Sequence, residues 1–450
     1  MSTHRTARRR VLRLAAVLTT SALSISLLAA CGSSGGGSAS SSASSHGPVT
    51  ITFWAWAKGT QQVVDAFNAS HKDVHVDFEQ IPSGVAGGYA KISDAVKAGN
   101  APDLFNVEYA ALPDFVSQGA VQDITSLVPA GLKAKYLPQS VEQTTLGGST
   151  WALPLDAAPQ ALFYRKDLFA KAGITTPPTT WADYQADAVK LKAAEPNTRI
   201  GTFFPDDPST LEAFAWQNGA HWFSSSGDTW KIAVDSPATK KVADYWDGLV
   251  SKDLVRVQTS FSQQWTASLQ KGETAAYLGA AWGGGVLQGT VAGAPGNAGN
   301  WAVAPVPTWD GQPASGMLGG STFAVSKDSQ KAQAAVEFAT WATTTPQGIQ
   351  ARIASGTSSM FPADPELLPA AKAAFNTSFY GGQDIYAVFT AASKTIVQGW
   401  QWGPGLSVTN STLKDAFAKL GQGGTIDGAL GSAQSATVSD LGTLGLKVAQ

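Results

Sequence analysis

Gly147–Phe169 reads GGSTWALPLDAAPQALFYRKDLF, and the fold turns on how its strands break. Trp151 to Leu155 is apolar, Asp156 to Pro159 interrupts the run, and Ala161 to Tyr164 resumes it before a helix begins at Lys166. Pro154 and Pro159 carry no donor N–H, so neither suits the middle of a strand ladder. Two readings are open at this point: an edge strand with a bulge, or a chain leaving one sheet to enter another.

The flanking sequence decides between them. Upstream, Val49 to Trp54 alternates as a strand, and Gln61 to Ala69 sets Val63, Val64 and Phe67 on one helical face. Val74 to Phe78 is a second strand, Tyr89 to Ala98 a second helix, and Leu104 to Val107 a third strand. Strands alternating with helices make βαβ units and a parallel sheet. Ligands on such sheets bind beyond the carboxyl ends of the strands, where Trp54, Trp56, Glu108 and Tyr109 fall.

Downstream the pattern restarts. Lys166 to Gly173 is a helix closed by glycine. Thr180 is the expected N-cap of Trp181 to Ala194, with Asp183 at its third position. A strand at 200–204, helices at 209–218 and 236–250, and a strand at 273–278 follow. Trp301-Ala-Val-Ala-Pro-Val-Pro307 is a second proline-broken stretch, and a strand opens at Thr322. Two such crossings bracketing a block of α/β units imply two lobes built from discontinuous chain. The expected first lobe is 49–155 with about 308–345, and the second about 156–307 with about 346–450.

Composition narrows the class. At 450 residues the chain can build two cores, and it holds 46 glycines and 15 tryptophans. Arg5, Arg8, Arg9 and Arg10 precede an apolar run from Val11 to Ala30, which reads as targeting and not as fold. Leu28-Ala29-Ala30-Cys31, followed by Gly32, resembles a lipobox, so Cys31 is the expected lipidation site. Residues 1–31 then make up the lipoprotein signal, with cleavage expected just before Cys31. The run from Arg8 to Arg13 fits a twin-arginine signal and a plain secretory leader equally.

Cys31 is the only cysteine, which excludes disulfides, thiolate metal sites and a cysteine nucleophile elsewhere. Residues 32–48 form a Ser/Gly-rich tether with an r.m.s. reach of roughly 20–25 Å. Without the leader's five arginines the chain carries 26 basic and 33 acidic residues, a net charge of −7. That balance argues against nucleic acid and against anionic lipid as partners. No second stretch is long and apolar enough to span a bilayer.

Several pieces in order resemble a family. They are the lipobox and tether, Ile51-Thr-Phe-Trp54, Ala101-Pro-Asp103, Trp151-Ala-Leu-Pro-Leu155, and Phe163-Tyr-Arg-Lys-Asp-Leu-Phe169. Pro178-Thr-Thr-Trp181, Gly272-Glu-Thr-Ala-Ala276, Ala304-Pro-Val-Pro307 and Gly319-Gly-Ser321 before Phe323-Ala-Val-Ser326 complete the set. Together they resemble the sugar-binding solute receptors of ABC importers, the group related to maltose-binding protein. The match is diffuse beyond about residue 345. The resemblance implies a type II periplasmic-binding-protein-like α/β fold of two lobes with mostly parallel sheets. It also implies hinge crossings near 155–160, 301–307 and 345–350, and closure on ligand. The expected protein is a monomer without cofactor or metal, anchored on the outer face of the cytoplasmic membrane and serving permease subunits.

A sugar presents C–H faces to aromatic rings and a hydroxyl rim to carboxylates and amides. The expected ligand residues are therefore Trp54 or Trp56 after the first strand, and Glu108 and Tyr109 after the third. Asp156 in the crossing, Trp282 before its glycines, and donors at Gly320 and Ser321 join them. Trp216 and Trp222 belong to the second lobe, and Trp400 and Trp402 to a glycine-flanked loop better suited to a cleft or an interface than to solvent. The tryptophan count favours an oligosaccharide over a monosaccharide.

Catalytic patterns fit less well. His71 and His75 have the spacing of a zinc helix, but Lys72 replaces the glutamate. No Gly-x-Ser-x-Gly elbow or phosphate loop with lysine occurs. A glycosidase acting through Glu108 and Asp156 stays open, as does a receptor for polyamines or another cation.

Overall fold

The structure, a computed structural model, describes residues 47–449 as one compact unit. The leader, Cys31 and nearly all of the tether lie outside the described residues. Ten strands build its two main sheets: β1 (Val49–Ala55), β2 (Val74–Gln80), β3 (Leu104–Glu108), β4 (Leu153–Pro154), β5 (Gln160–Arg165), β6 (Gly201–Phe203), β7 (Val255–Val257), β8 (Ala276–Ala280), β9 (Trp301–Pro305) and β10 (Ser321–Val325).

The first lobe's sheet has the order β2-β1-β3-β10-β4, with β1 parallel to β2 and β3, and β10 antiparallel to both its neighbours. In the second lobe β7 is parallel to β6, and β8 and β9 flank β5 antiparallel. A parallel bridge from Arg199 to Thr274 carries β6 alongside β8. The second sheet therefore repeats the first, with all strands but one (β10 or β5) running the same way.

Alternation along the strands sets both cores. On one face of the first sheet Phe53 meets Phe323 and Phe338 edge-on, and Phe67 from the helix Thr60–Ser70 joins them. On the other, Ile92, Phe105, Val107 and Phe115 form a separate cluster. In the second lobe Trp181 packs on Phe214 and Trp246. Trp181 also opens a helix held by the expected capping box of Thr180 and Asp183. Trp181, Trp216, Trp222, Trp246, Trp265 and Trp301 are all fully buried, so most of the aromatic richness serves cores and does not report ligand size.

The opening stretch resolves as a crossing. Pro154 ends β4 on the sheet edge, Asp156–Ala157 pairs with Phe361–Pro362, and Gln160 starts the central strand of the other sheet. Asp156 Oδ1 accepts from the Ser321 N–H at 2.7 Å. Leu155 N–H donates to Ser321 O, Leu318 N–H to Ala158 O, and Ala363 N–H to Leu155 O. Three passages of chain are thus stitched to one another.

Two expected boundaries move. Residues 301–305 are a fully paired edge strand of the second lobe, because Pro305 sits at the strand's end where no donor is required, so the second crossing follows them. The helix Pro346–Ala354 packs on Thr60–Ser70 and belongs with the first lobe: its Arg352 donates to Lys58 O and Thr60 Oγ1, both at 3.0 Å. The third crossing therefore comes after residue 354 and not at 345–350.

Candidate functional site

Glu108 at the end of β3 and Trp282 just past β8 both approach Gly319, so the carboxyl ends of strands from the two sheets converge there. From the first lobe, Glu108 closes β3 and accepts the Tyr89 hydroxyl at 2.5 Å. Tyr89 stands edge-on to Trp56, with ring centroids 5.6 Å apart. From the second lobe, Trp282 follows β8 and donates its Nε1–H to Leu318 O at 2.8 Å. A side chain at Gly319, whose φ is +74°, would put its Cβ 3.6 Å from both Glu108 Oε1 and Trp282 Nε1. Gly319 thus supplies the left-handed backbone at the point where the two lobes' groups converge.

Two more acids come from the second lobe. Asp207 follows β6, and Glu212, only 2% exposed, lies on the helix Ser209–Gln217. Glu212 is pushed up to about 8, by burial first and then by Asp207 and Glu108 nearby, against a hydrogen bond with Asn410. Burial pushes Glu108 up to about 7, against the Tyr89 hydrogen bond and with the help of Asp207. Asp207 is also raised, by burial first. Glu212 Oε1 is buried without a hydrogen-bond partner.

Glu108, Trp56 and Trp282 are thus brought together. Other expected ligand residues are engaged elsewhere. Trp54 lies under the Lys91 ammonium at 4.3 Å, beside the exposed Lys91–Glu79 pair, because β1 ends at Ala55 and its last side chains point to different neighbours. Tyr109 is 1% exposed and donates to Asp156 O; Gly320, at φ +99°, has no room for a side chain, since a Cβ there would meet the Tyr109 ring at 2.9 Å. The N–H of Ser321, expected to serve ligand, is taken by Asp156. Asp156 itself is 3% exposed and is pushed up to about 7 by burial, so its carboxyl belongs to the hinge.

Trp222 is core: its Nε1–H donates to Thr239 Oγ1 at 2.9 Å on the helix Pro237–Ser251. Trp216 and Trp400 stack on each other at 5.2 Å and 6°, with Trp402 edge-on to both, and all three are nearly buried. Sequence reasoning missed Tyr89, Asp207 and Glu212. The Tyr89 signal was its place at the head of a helix facing the end of β3. Asp207 was readable as the acid just past β6, in the position Glu108 holds past β3.

One further contact ties the lobes. Asp114, on the first lobe's helix Leu112–Ser117, accepts the N–H groups of Gly405 (2.6 Å) and Ser407 (3.1 Å). These open the second lobe's helix Leu406–Phe417, whose positive end favours a carboxylate. Asp114→Asn should replace one acceptor by a clashing donor, loosening closure and weakening ligand binding by about tenfold, as a charge-assisted bond of this kind contributes about 1.5–3 kcal/mol. Small-angle scattering with and without ligand, and the dissociation rate, read this; an unchanged rate would show that the contact is incidental.

Comparison with known proteins places this geometry. The fold matches the ABC transporter associated binding protein of B. animalis subsp. lactis Bl-04 in complex with beta-1,6-galactobiose, at TM-score 0.80 and 27% identity over 90% of this chain and 100% of that one. A lactose-binding protein of Rhizobium radiobacter is 25% identical over 309 residues, 64% of this chain and 69% of the relative. A binding protein of Brucella abortus is 34% identical over 133 residues, and that match spans only 30% of this chain and 32% of the relative's length. The B. animalis protein shares the two-lobed type II architecture. Residues 55–349 match the model of the bacterial extracellular solute-binding proteins, and the chain belongs to that family.

Proposed function

We propose that this protein is the carbohydrate receptor of an ABC importer. It takes a neutral di- or oligosaccharide between its lobes and hands it to permease subunits as the lobes open and close. The observation that carries the reading is the convergence on Gly319 of a carboxylate from one lobe and an indole from the other. A pyranose needs such an acceptor for its hydroxyls and such a surface for its C–H face. The galactobiose and lactose receptors among its relatives support the same ligand class. Cys31, in its lipobox-like context, anchors the receptor to the membrane.

The protein releases its ligand unaltered. Asp156, which the glycosidase reading pairs with Glu108, is committed to the Ser321 N–H and sealed in the hinge, so that pair is not available for catalysis. A second reading is favoured by one observation only: Asp207 raises Glu108, Asp207 and Glu108 raise Glu212, and a cation would relieve them.

Thermal unfolding across disaccharides and polyamines separates the two. Ligand at about a hundred times its Kd should add about 2.7 kcal/mol. At about 2.1 cal/mol/K of unfolding entropy per residue, that raises Tm by about 3 °C. Chromatography of the recovered sugar should show it intact. A shift with spermidine and none with any sugar would overturn the carbohydrate reading.

A further inference from the structure

Among the described residues, two other than glycine adopt positive φ: Asp253 at 53° and Phe261 at 51°. Asp253 is accounted for locally. Aspartate tolerates this region, and here it follows a helix end with its carboxylate bridged to Lys192 and Arg199. Phe261 has no such account. A bulky side chain in left-handed backbone is a real outlier, and such conformations persist where the surroundings over-determine them.

The surroundings do so. Phe261 lies in the turn between β7 and the helix Gln263–Gln270. Asp206 accepts both the N–H (2.8 Å) and the hydroxyl (2.7 Å) of Ser260. Gln258 N–H donates to Phe203 O, and Ser262 caps the following helix by accepting the Trp265 N–H. Every residue on either side is fixed, and the result is to hold one phenyl ring outward.

That ring is 46% exposed, and it is the one aromatic side chain among the exposed large hydrophobics of the described residues. It leans on Phe204 (6.1 Å), Trp265 (5.3 Å) and Trp282 (6.1 Å). Phe261, Phe204 and Trp282 follow the carboxyl ends of β7, β6 and β8, three adjacent strands of one sheet. Phe261 is thus an exposed ring laid over the buried Phe204 and Trp265 and beside the half-buried Trp282, at the same end of the sheet as Trp282. Packing accounts for one side of the ring; the other is held open by strained backbone.

We propose that Phe261 is a ligand-stacking residue that extends the site past Trp282 to a second sugar ring, so that the receptor requires at least a disaccharide. This rests on the carbohydrate reading and deepens it.

The test is Phe261→Gly, which suits the backbone conformation and removes the ring, beside Phe261→Trp, which keeps a surface. Binding of a matched disaccharide and monosaccharide is measured by calorimetry, with the Tm of each protein. Phe261→Gly should keep or raise Tm, lose about three- to tenfold in disaccharide affinity, and leave monosaccharide affinity unchanged. Phe261→Trp should retain disaccharide affinity. The proposal is overturned if Phe261→Gly binds the disaccharide as the parent does, or if both sugars weaken equally. It is overturned too if the parent binds monosaccharide as tightly as disaccharide. A parent protein that binds no sugar would instead remove the carbohydrate reading on which the proposal stands.

Discussion

Unliganded protein taken from about pH 8.5 to about pH 5.5 should shift towards the closed arrangement by about tenfold in population. Bringing the lobes together buries Glu108 beside Asp207 and Glu212, with the pKa of Glu108 reaching about 7 and that of Glu212 about 8. Separating the lobes would hydrate these groups and return them towards ordinary values. Closing therefore takes up protons. Because these are acids raised by closure, the closed form is favoured below the raised values, and its advantage is lost as pH climbs from the ordinary carboxylate range through about 7–8. Lys414 near Asp207 offsets part of the effect. Asp156, buried in the hinge beside Arg352, contributes little to the difference. Inter-lobe energy transfer across this range measures it, and Glu212→Gln should flatten the curve. A radius that grows on acidification would contradict the assignment.

Trp282→Ala should cost about a hundredfold in sugar affinity, or about 2.7 kcal/mol. Loss of a stacking surface accounts for about 0.5–1.5 kcal/mol and lost apolar burial for the rest. Trp282 is only partly buried in the unliganded protein, so its removal should barely lower Tm. Trp222→Ala should do the reverse. Trp222 is 0% exposed and bonded to Thr239, so truncation should destabilise by about 3–5 kcal/mol with affinity kept. Calorimetry and thermal unfolding on the two variants read the contrast directly. Equal affinity losses in both would mean that binding merely follows stability.

The two lobes were legible because proline is so poorly tolerated inside a ladder. Pro154 and Pro159 bracket the passage that leaves one sheet and enters the other. The same rule misplaced the second crossing, since Pro305 ends a paired strand without disrupting it. Glu108 was readable as the acid past β3. Trp54 and Trp56 were not separable, because which indole clears the strand end depends on where pairing stops, a tertiary matter. The remaining tryptophans misled for a simpler reason: a large apolar ring next to a helix end satisfies a core as readily as a cleft, and composition does not distinguish them. Tyr89 and Phe261 reach the site only through contacts with residues remote in sequence.

β10 lies between β3 and β4, and its Thr322 is 215 residues from its partner Val107. The first lobe's sheet therefore stays split along its middle until most of the chain has been made, whatever the local preference of β1 to β3. Such distant closure makes for slow maturation. For a long interval the nascent chain holds a finished-looking N-terminal half whose central seam is still open to other strands, so its exposure to mispairing is set by topology and not by the final stability of either lobe.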